Sequence, residues 1–117
     1  MHTSLGFIGT GHLASYTIAG LRQAGDQRDI ILSPRNAQTA AQLAAAYQCQ
    51  VALSNQAVVD AADTVILAVR PPHALAVLSE ITLRPGQKLV SVVAGVTLAD
   101  LRAAAGGEAA IYRSSII

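Results

Sequence analysis

Residues 5–14, Leu5-Gly-Phe-Ile-Gly-Thr-Gly-His-Leu-Ala14, carry the pattern that decides the fold. An apolar segment leads directly into Gly9-Thr10-Gly11-His12-Leu13-Ala14, which matches the G-x-G-x-x-G/A pattern of dinucleotide-binding turns. Alone, such a pattern is a weak signal, because glycine-rich turns are common. Here the pattern follows an apolar strand and opens a helix, so it predicts a strand–turn–helix unit that holds a pyrophosphate at the helix N-terminus.

Each small residue of that pattern has a physical reason. Gly9 allows the tight turn, Gly11 removes the Cβ that would block a phosphate, and Ala14 lets the helix pack close to the sheet. The backbone N–H groups of His12 and Leu13 then face the phosphates, with the helix dipole behind them. The simpler alternative is a tight turn that binds nothing.

Strand-like segments alternate with alanine-rich helical segments along the rest of the chain. Strands are predicted at 5–8, 29–33, 51–53, 64–69, 89–94 and 109–113, and helices at about 13–24, 37–47, 55–62, 72–81 and 98–105. This alternation predicts right-handed βαβ units in one α/β domain over residues 1–117, a doubly wound, Rossmann-like parallel sheet with strand order 3-2-1-4-5-6. In the fourth helix Leu75, Leu78 and Ile81 keep helical spacing and are expected in the core.

Composition excludes several classes of protein. The chain has 117 residues, enough for one domain, and its 52% hydrophobic content excludes disorder. Cys49 is the single cysteine, which excludes a disulfide scaffold. A net charge of +1 gives no electrostatic reason to expect a nucleic acid or a membrane as partner. The first residues lack the pattern of a signal peptide, so a cytoplasmic protein is expected.

The end of the second predicted strand indicates which dinucleotide binds. NAD-specific sites place Asp or Glu there, about 20 residues beyond the glycines, to bind the ribose 2′-hydroxyl. This chain has Ser33-Pro34-Arg35-Asn36 instead. A hydroxyl and a guanidinium bind a 2′-phosphate that a carboxylate would repel, so NADP is favoured over NAD. The alternative for Arg35 is an ordinary solvated charge at a helix start.

The remaining reactive side chains indicate no catalytic group. His12 is interpreted as contributing its backbone, and His73, which follows Pro71-Pro72, as a surface residue at a helix start. Cys49 is interpreted as a small buried apolar residue. The sequence shows no metal-ligand cluster.

Three motifs together resemble the N-terminal domain of the pyrroline-5-carboxylate reductase family. They are residues 5–14 above, Asp63-Thr-Val-Ile-Leu-Ala-Val-Arg-Pro71 and Val90-Ser-Val-Val-Ala-Gly-Val96, in the family's order and at its spacing. The resemblance implies an oxidoreductase domain that binds NADPH, in enzymes that reduce a cyclic imine acid to proline. Arg70 stands where the family has a lysine, which keeps the charge and changes the geometry.

The resemblance also implies a cofactor site along the ends of the strands. In it, residues 8–13 surround the pyrophosphate, Ser33 and Arg35 meet the 2′-phosphate, and Asn55 lies beside the adenosine half. Residues 68–71 border the ribose and nicotinamide, and residues 92–94 lie close to the nicotinamide. The complete set of expected cofactor-binding residues is Ile8, Gly9, Thr10, Gly11, His12, Leu13, Ser33, Arg35, Asn36, Asn55, Ala68, Val69, Arg70, Pro71, Val92, Val93 and Ala94.

Two departures from the family limit the expected activity. Residues Arg113-Ser-Ser-Ile-Ile117 stand where the family has Arg-x-Met-Pro-Asn, and the family's all-helical C-terminal domain for dimerisation and substrate binding is absent. We therefore expect little turnover from this chain alone, and self-association through the 109–117 edge. Two alternatives stay open: the cofactor domain of a related imine, β-hydroxyacid or deazaflavin-dependent NADP reductase, and a non-catalytic nucleotide-binding or interaction module.

Overall fold

The computed structural model describes residues 4–107 and 109–113 of the chain. Strands and helices alternate throughout. The strands are β1 (Ser4–Ile8), β2 (Asp29–Leu32), β3 (Gln50–Val51), β4 (Thr64–Leu67), β5 (Lys88–Ser91) and β6 (Ala110–Arg113). The helices are α1 (His12–Gln23), α2 (Ala37–Tyr47), α3 (Asn55–Ala61), α4 (Pro71–Glu80) and α5 (Leu98–Ala105).

All six strands form one parallel sheet in the order β3-β2-β1-β4-β5-β6. The predicted fold class and strand order are therefore confirmed. Strand β1 lies between β2 and β4, with Phe7 paired with Leu32 on one side and with Ile66 on the other. Because the strands are parallel, the segments that leave β1, β2 and β4 meet at one edge of the sheet.

Helices cover the two faces of the sheet in two separate apolar clusters. Alternate residues of β1 point to opposite faces, so Phe7 packs in the cluster that includes α1 and α2, and Ile8 in the one that includes α3, α4 and α5. Gly6 lets α3 approach the second face. A Cβ at this position would lie 2.6 Å from Val58 Cγ1 and 2.8 Å from Ala62 Cβ, both buried.

Side chains close the ends of several helices. Ser54 Oγ accepts a hydrogen bond from Ala57 N–H at 3.1 Å and so caps the N-terminus of α3. The C-terminus of α3 is closed by a residue that sequence reasoning did not identify. Buried Gln87 donates through Nε2 to the carbonyls of Val59 and Ala62, each at 2.8 Å. This pairing satisfies acceptors that the helix leaves open.

Five strands, β2 to β6, are shorter than predicted, and the early ends of β4 and β5 have one physical reason. The ladder of β1 ends where Ile8 pairs with Leu67, because the chain turns away at Gly9. Strand β4 therefore ends at Leu67 rather than at residue 69, and β5 ends at Ser91 rather than at 94. Strand β3 is Gln50–Val51 rather than 51–53, and Leu53 lies past the sheet, 96% exposed.

The expected core position of Leu75 is wrong. Leu75 is 40% exposed, whereas Leu78 and Ile81 are buried as expected. Ala74 and Val77 are buried on α4, so the face of the helix that contacts the core runs through these residues and leaves Leu75 on the other side. Among the helices in the described residues, none is long and apolar enough to cross a membrane.

Candidate functional site

A cavity of about 360 Å³ opens at the carboxyl edge of the sheet, where β1, β2 and β4 end. It lies at the crevice where open α/β sheets bind ligands. Most of the residues expected from the sequence line it together. These are Ile8, Gly9, Thr10, Gly11, Ser33, Arg35, Asn36, Asn55, Ala68, Val69 and Arg70.

The two glycines of the turn differ in how much room the structure leaves for a side chain. Gly9 has φ +104°, and a Cβ there would lie 2.6 Å from the Ala68 carbonyl oxygen and 2.9 Å from Val69 N. Any larger residue at Gly9 would strain the backbone and push against the segment after β4. A Cβ on Gly11 would meet no described atom within 4 Å, and its φ is −79°. The fold requires glycine at Gly9; at Gly11 it leaves open space instead.

That open space lies at the N-terminus of α1. The first backbone hydrogen bond of the helix runs from Ser15 N–H to Gly11 C=O at 3.0 Å. The N–H groups of His12, Leu13 and Ala14 precede it and find no backbone acceptor in the described part of the chain. Gly11, the N-cap residue, has no side chain to satisfy them. Free N–H groups and the positive end of the helix dipole together suit an anion.

Ser33 holds the glycine turn in place. Its side chain is 1% exposed, and its Oγ accepts a hydrogen bond from Gly9 N–H at 3.0 Å. Beside it, Thr10 Oγ1 donates to the Arg35 carbonyl oxygen at 3.3 Å. From the sequence, Ser33 was predicted only to contact the 2′-phosphate. The structure shows that it also holds the glycine turn in position.

Arg35 and Asn36 border the cavity with uncommitted side chains. Arg35 is exposed, and its guanidinium makes no hydrogen bond or salt bridge to any described residue. Asn36 has the left-handed conformation, φ 60° and ψ 65°, at the N-cap of α2, yet its side chain makes no capping hydrogen bond. Asparagine tolerates this conformation better than most residues. Both side chains are free to contact a ligand.

The helix on the other side of the cavity offers no comparable anion site. Pro71 and Pro72 have no N–H, and His73 N–H already donates to the Arg70 carbonyl at 2.9 Å. Arg70 itself is exposed at the N-cap, with no capping hydrogen bond from its side chain. An anion at the backbone therefore belongs at α1, and at α4 only the Arg70 side chain supplies positive charge.

Some expected residues do not line the cavity. The side chain of His12 is exposed and stacks on Tyr16, with ring centroids 6.4 Å apart. Leu13, in the first turn of α1, and Pro71, the first residue of α4, do not line the cavity. Residues 92–94 follow β5 at the same sheet edge, where Val92 N–H donates to Leu67 C=O at 3.1 Å.

Two residues line the cavity that the expected set omits, His73 and Val77. The interpretation of His73 as an exposed residue at a helix start agrees with the structure, but it also faces this cavity. Both stand on α4 one helical turn apart. That i, i+4 spacing after a predicted strand end was the available signal for them.

The described residues supply no obvious catalytic group. They include no cluster of three or more His, Cys, Asp or Glu that could hold a metal ion. Cys49 is half-buried, packs against the α1 and α2 side of the core, and burial raises the pKa of its thiol. A second hollow, of about 320 Å³, lies at the opposite edge of the sheet. There the Arg84 side chain donates hydrogen bonds to the carbonyl oxygens of Val59 and Asp60 in α3.

Residues 4–95 match a family model described as NADP oxidoreductase, coenzyme F420-dependent. The pyrroline-5-carboxylate reductase of Pseudomonas aeruginosa is 35% identical over 112 residues, which are 93% of this chain and 41% of that protein. The solved 1-pyrroline-5-carboxylate reductase of Streptococcus pyogenes is 27% identical, with a TM-score of 0.77 over 96% of this chain and 42% of its own. That of Coxiella burnetii has a TM-score of 0.87 at 24% identity, over 97% and 43%.

These matches agree with the resemblance inferred from the three motifs. The match to the family model confirms that the chain is related to oxidoreductases. The description of that family names NADP, the cofactor expected from the sequence. The relatives named above share their N-terminal domain with this chain, which spans only about two-fifths of their length.

Proposed function

The chain belongs to the family of NADP oxidoreductases described as coenzyme F420-dependent, and from this we propose that its cavity binds NADPH. The pyrophosphate lies over Gly11 and accepts hydrogen bonds from the free N–H groups at the start of α1. The observation that carries the proposal is the combination of open space at Gly11 with those unpaired donors. A turn needed only for the fold would require glycine at Gly9 alone.

The proposed site prefers NADPH to NADH. The segment after β2, Ser33 to Asn36, contains no carboxylate to bind a ribose 2′-hydroxyl. Arg35 supplies an uncommitted guanidinium that binds a phosphate through charge-assisted hydrogen bonds. Asn36, held in a left-handed conformation without capping α2, adds an amide donor beside it.

The hydride acceptor that we propose is a cyclic imine acid, as in the pyrroline-5-carboxylate reductases that the chain resembles. Reduction of such an imine needs its carbon held against the nicotinamide, and the nitrogen takes up a proton. Residues 92–94, which follow β5, are proposed to border the nicotinamide, and Arg70 and Pro71 the neighbouring ribose. We propose that a further, helical domain supplies the substrate contacts. Residues 1–117 without that domain are therefore proposed to turn over little substrate.

A second candidate is hydride exchange between NADP and a deazaflavin. The description of the matched family favours it, because coenzyme F420 is a deazaflavin. The identity to a curated pyrroline-5-carboxylate reductase favours the imine acid. Both candidates use the same NADPH cavity and differ only in what faces the nicotinamide. Self-association and a cytoplasmic location stay predictions.

Calorimetric titration of the chain with NADPH, NADH and ATP tests the proposal. We expect NADPH to bind more than tenfold more tightly than NADH, since the 2′-phosphate adds at least one charge-assisted hydrogen bond worth roughly 1.5–3 kcal/mol. ATP should bind more weakly than NADPH, because it lacks that phosphate. Equal affinity for NADPH and NADH would remove the role given to Arg35, and no binding of either dinucleotide would refute the proposed function.

A further inference from the structure

A buried serine ends strand β5, at a position where an apolar side chain would be expected. Ser91 is fully buried and lies on the same face of the strand as Leu89, which packs in the apolar cluster that includes α3, α4 and α5. A hydroxyl in such surroundings is costly unless it is hydrogen-bonded. Ser91 Oγ accepts a hydrogen bond from Val93 N–H at 3.3 Å. The serine therefore holds the backbone of the loop that leaves β5.

Ser33, directly after β2, is the counterpart of Ser91 in the same sheet. It is also buried, and its Oγ holds Gly9 N–H at 3.0 Å. Because β2 and β5 belong to one parallel sheet, both serines lie at its carboxyl edge. At each position a buried hydroxyl fixes one backbone N–H of a loop at the edge where open α/β sheets bind ligands.

The two serines lie on opposite sides of the proposed pyrophosphate position. The order β2-β1-β4-β5 places the end of β2 on one side of the switch between β1 and β4, and the end of β5 on the other. A dinucleotide lies across such a switch point with one nucleotide on each side. Arg35, after β2, marks the side of the 2′-phosphate and its adenosine. The nicotinamide half therefore belongs on the side of β4 and β5.

The loop after β5, residues 92–95, has an exposed tip between anchored residues. Val93 and Val96 are buried, whereas Ala94 and Gly95 between them are exposed. The N–H groups of Ala94 and Gly95 find no acceptor in the described part of the chain. The hydrogen bond from Val93 N–H to Ser91 fixes the backbone directly before this tip. The tip consequently has a defined position before a ligand arrives.

We propose that Ser91 is a positioning residue for the nicotinamide half of the cofactor, acting through the loop 92–95. The inference rests on the proposed function, because it needs NADPH in the cavity beside Gly11. Ser91 is itself buried away from any ligand, and its hydroxyl sets where the exposed tip lies. With alanine at this position, Val93 N–H would lose its acceptor in a buried place, so the loop is expected to move.

The test follows backbone amide shifts in the ¹⁵N-labelled wild type and in Ser91→Ala. The ligands are NADPH and adenosine 2′,5′-bisphosphate, which lacks the nicotinamide half. In the wild type, NADPH should shift Ala94 and Gly95, and the bisphosphate should not. In Ser91→Ala these two shifts should largely disappear, while those at His12 and Arg35 remain. The variant should bind NADPH roughly fivefold more weakly and the bisphosphate within about twofold of the wild type.

Two further variants separate the hydrogen bond from a general loss of stability. Leu89→Val alters a buried side chain on the same face of β5 and should lower stability without removing the shifts at the loop. Ser91→Thr keeps the hydroxyl and should keep those shifts. Hydrogen exchange of the Val93 amide should be at least ~10-fold faster in Ser91→Ala than in the wild type.

Different results overturn this inference and the proposed function. Unchanged loop shifts in Ser91→Ala, or equal losses of affinity for NADPH and the bisphosphate, would refute the positioning role and leave the NADPH site standing. Unprotected Val93 N–H in the wild type would refute it whether or not any variant folds. If NADPH shifts His12 and Arg35 in the wild type but neither loop amide, only this inference fails. If NADPH shifts no amide, both fail together.

Discussion

Replacing Gly11 by valine is expected to lower the affinity for NADPH at least ~100-fold, about 2.7 kcal/mol, in a chain that still folds. The valine side chain would fill the space above the free N–H groups of His12 and Leu13, where the pyrophosphate belongs. The fold tolerates the change because Gly11 has φ −79° and a Cβ there meets no described atom within 4 Å. Calorimetry measures the affinity, and denaturant unfolding should show a loss of no more than about 1 kcal/mol.

The other glycine of the turn gives the matched comparison. Gly9→Ala should lower the free energy of unfolding by about 2–4 kcal/mol, because it combines φ +104° with contact to the backbone of Ala68 and Val69. The two variants therefore separate binding from folding. Wild-type affinity in Gly11→Val would place the pyrophosphate elsewhere, and unfolding of that variant would contradict the open space assigned to Gly11.

Arg35→Ala is expected to weaken NADPH binding roughly 50-fold and to leave NADH binding within about twofold. The Arg35 guanidinium makes no hydrogen bond or salt bridge in the described structure, so its removal breaks no internal contact. The substitution removes only the group proposed to bind the 2′-phosphate. The preference for NADPH should then nearly disappear. Parallel titrations of NADPH and NADH on the same preparation measure the ratio directly.

A second arginine controls for the loss of charge. Arg28 stands just before the other end of β2 and pairs with Asp26 at 2.6 Å, a hydrogen-bonded contact that lowers the pKa of the Asp26 carboxyl to about 2. Arg28→Ala removes the same net charge and should change neither affinity measurably. If both arginine variants weaken NADPH binding to the same extent, the effect comes from the change in net charge, and the specific contact of Arg35 is refuted.

The sequence predicted the strands because local patterns decide them, and the strand order followed from the doubly wound sheet that alternating strands and helices imply. An apolar segment, a glycine turn and a helix identify the β1–α1 unit within residues 4–23, without knowledge of any distant contact. The Ser54 cap was predictable for the same reason, since its acceptor and donor lie within one turn.

Features that depend on distant residues were not predictable in this way. The lengths of β4 and β5 follow from where β1 turns at Gly9, which no pattern within those strands reveals. The second role of Ser33 comes from a hydrogen bond to Gly9, 24 residues away. His73 was interpreted as a surface residue from its place at a helix start, and the cavity that it lines comes from segments that only the fold brings together.

Backbone amide shifts of the ¹⁵N-labelled chain during titration with NADPH test the central claim most directly, because they locate the ligand on the fold. We predict the largest changes at the start of α1, at His12, Leu13 and Ala14, and at Arg35 after β2. Amides around the hollow at the opposite edge, near Gly86 and Lys88, should stay unchanged. Shifts confined to that opposite edge, or no shifts at saturating NADPH, would contradict the assignment of the cavity beside Gly11 as the cofactor site.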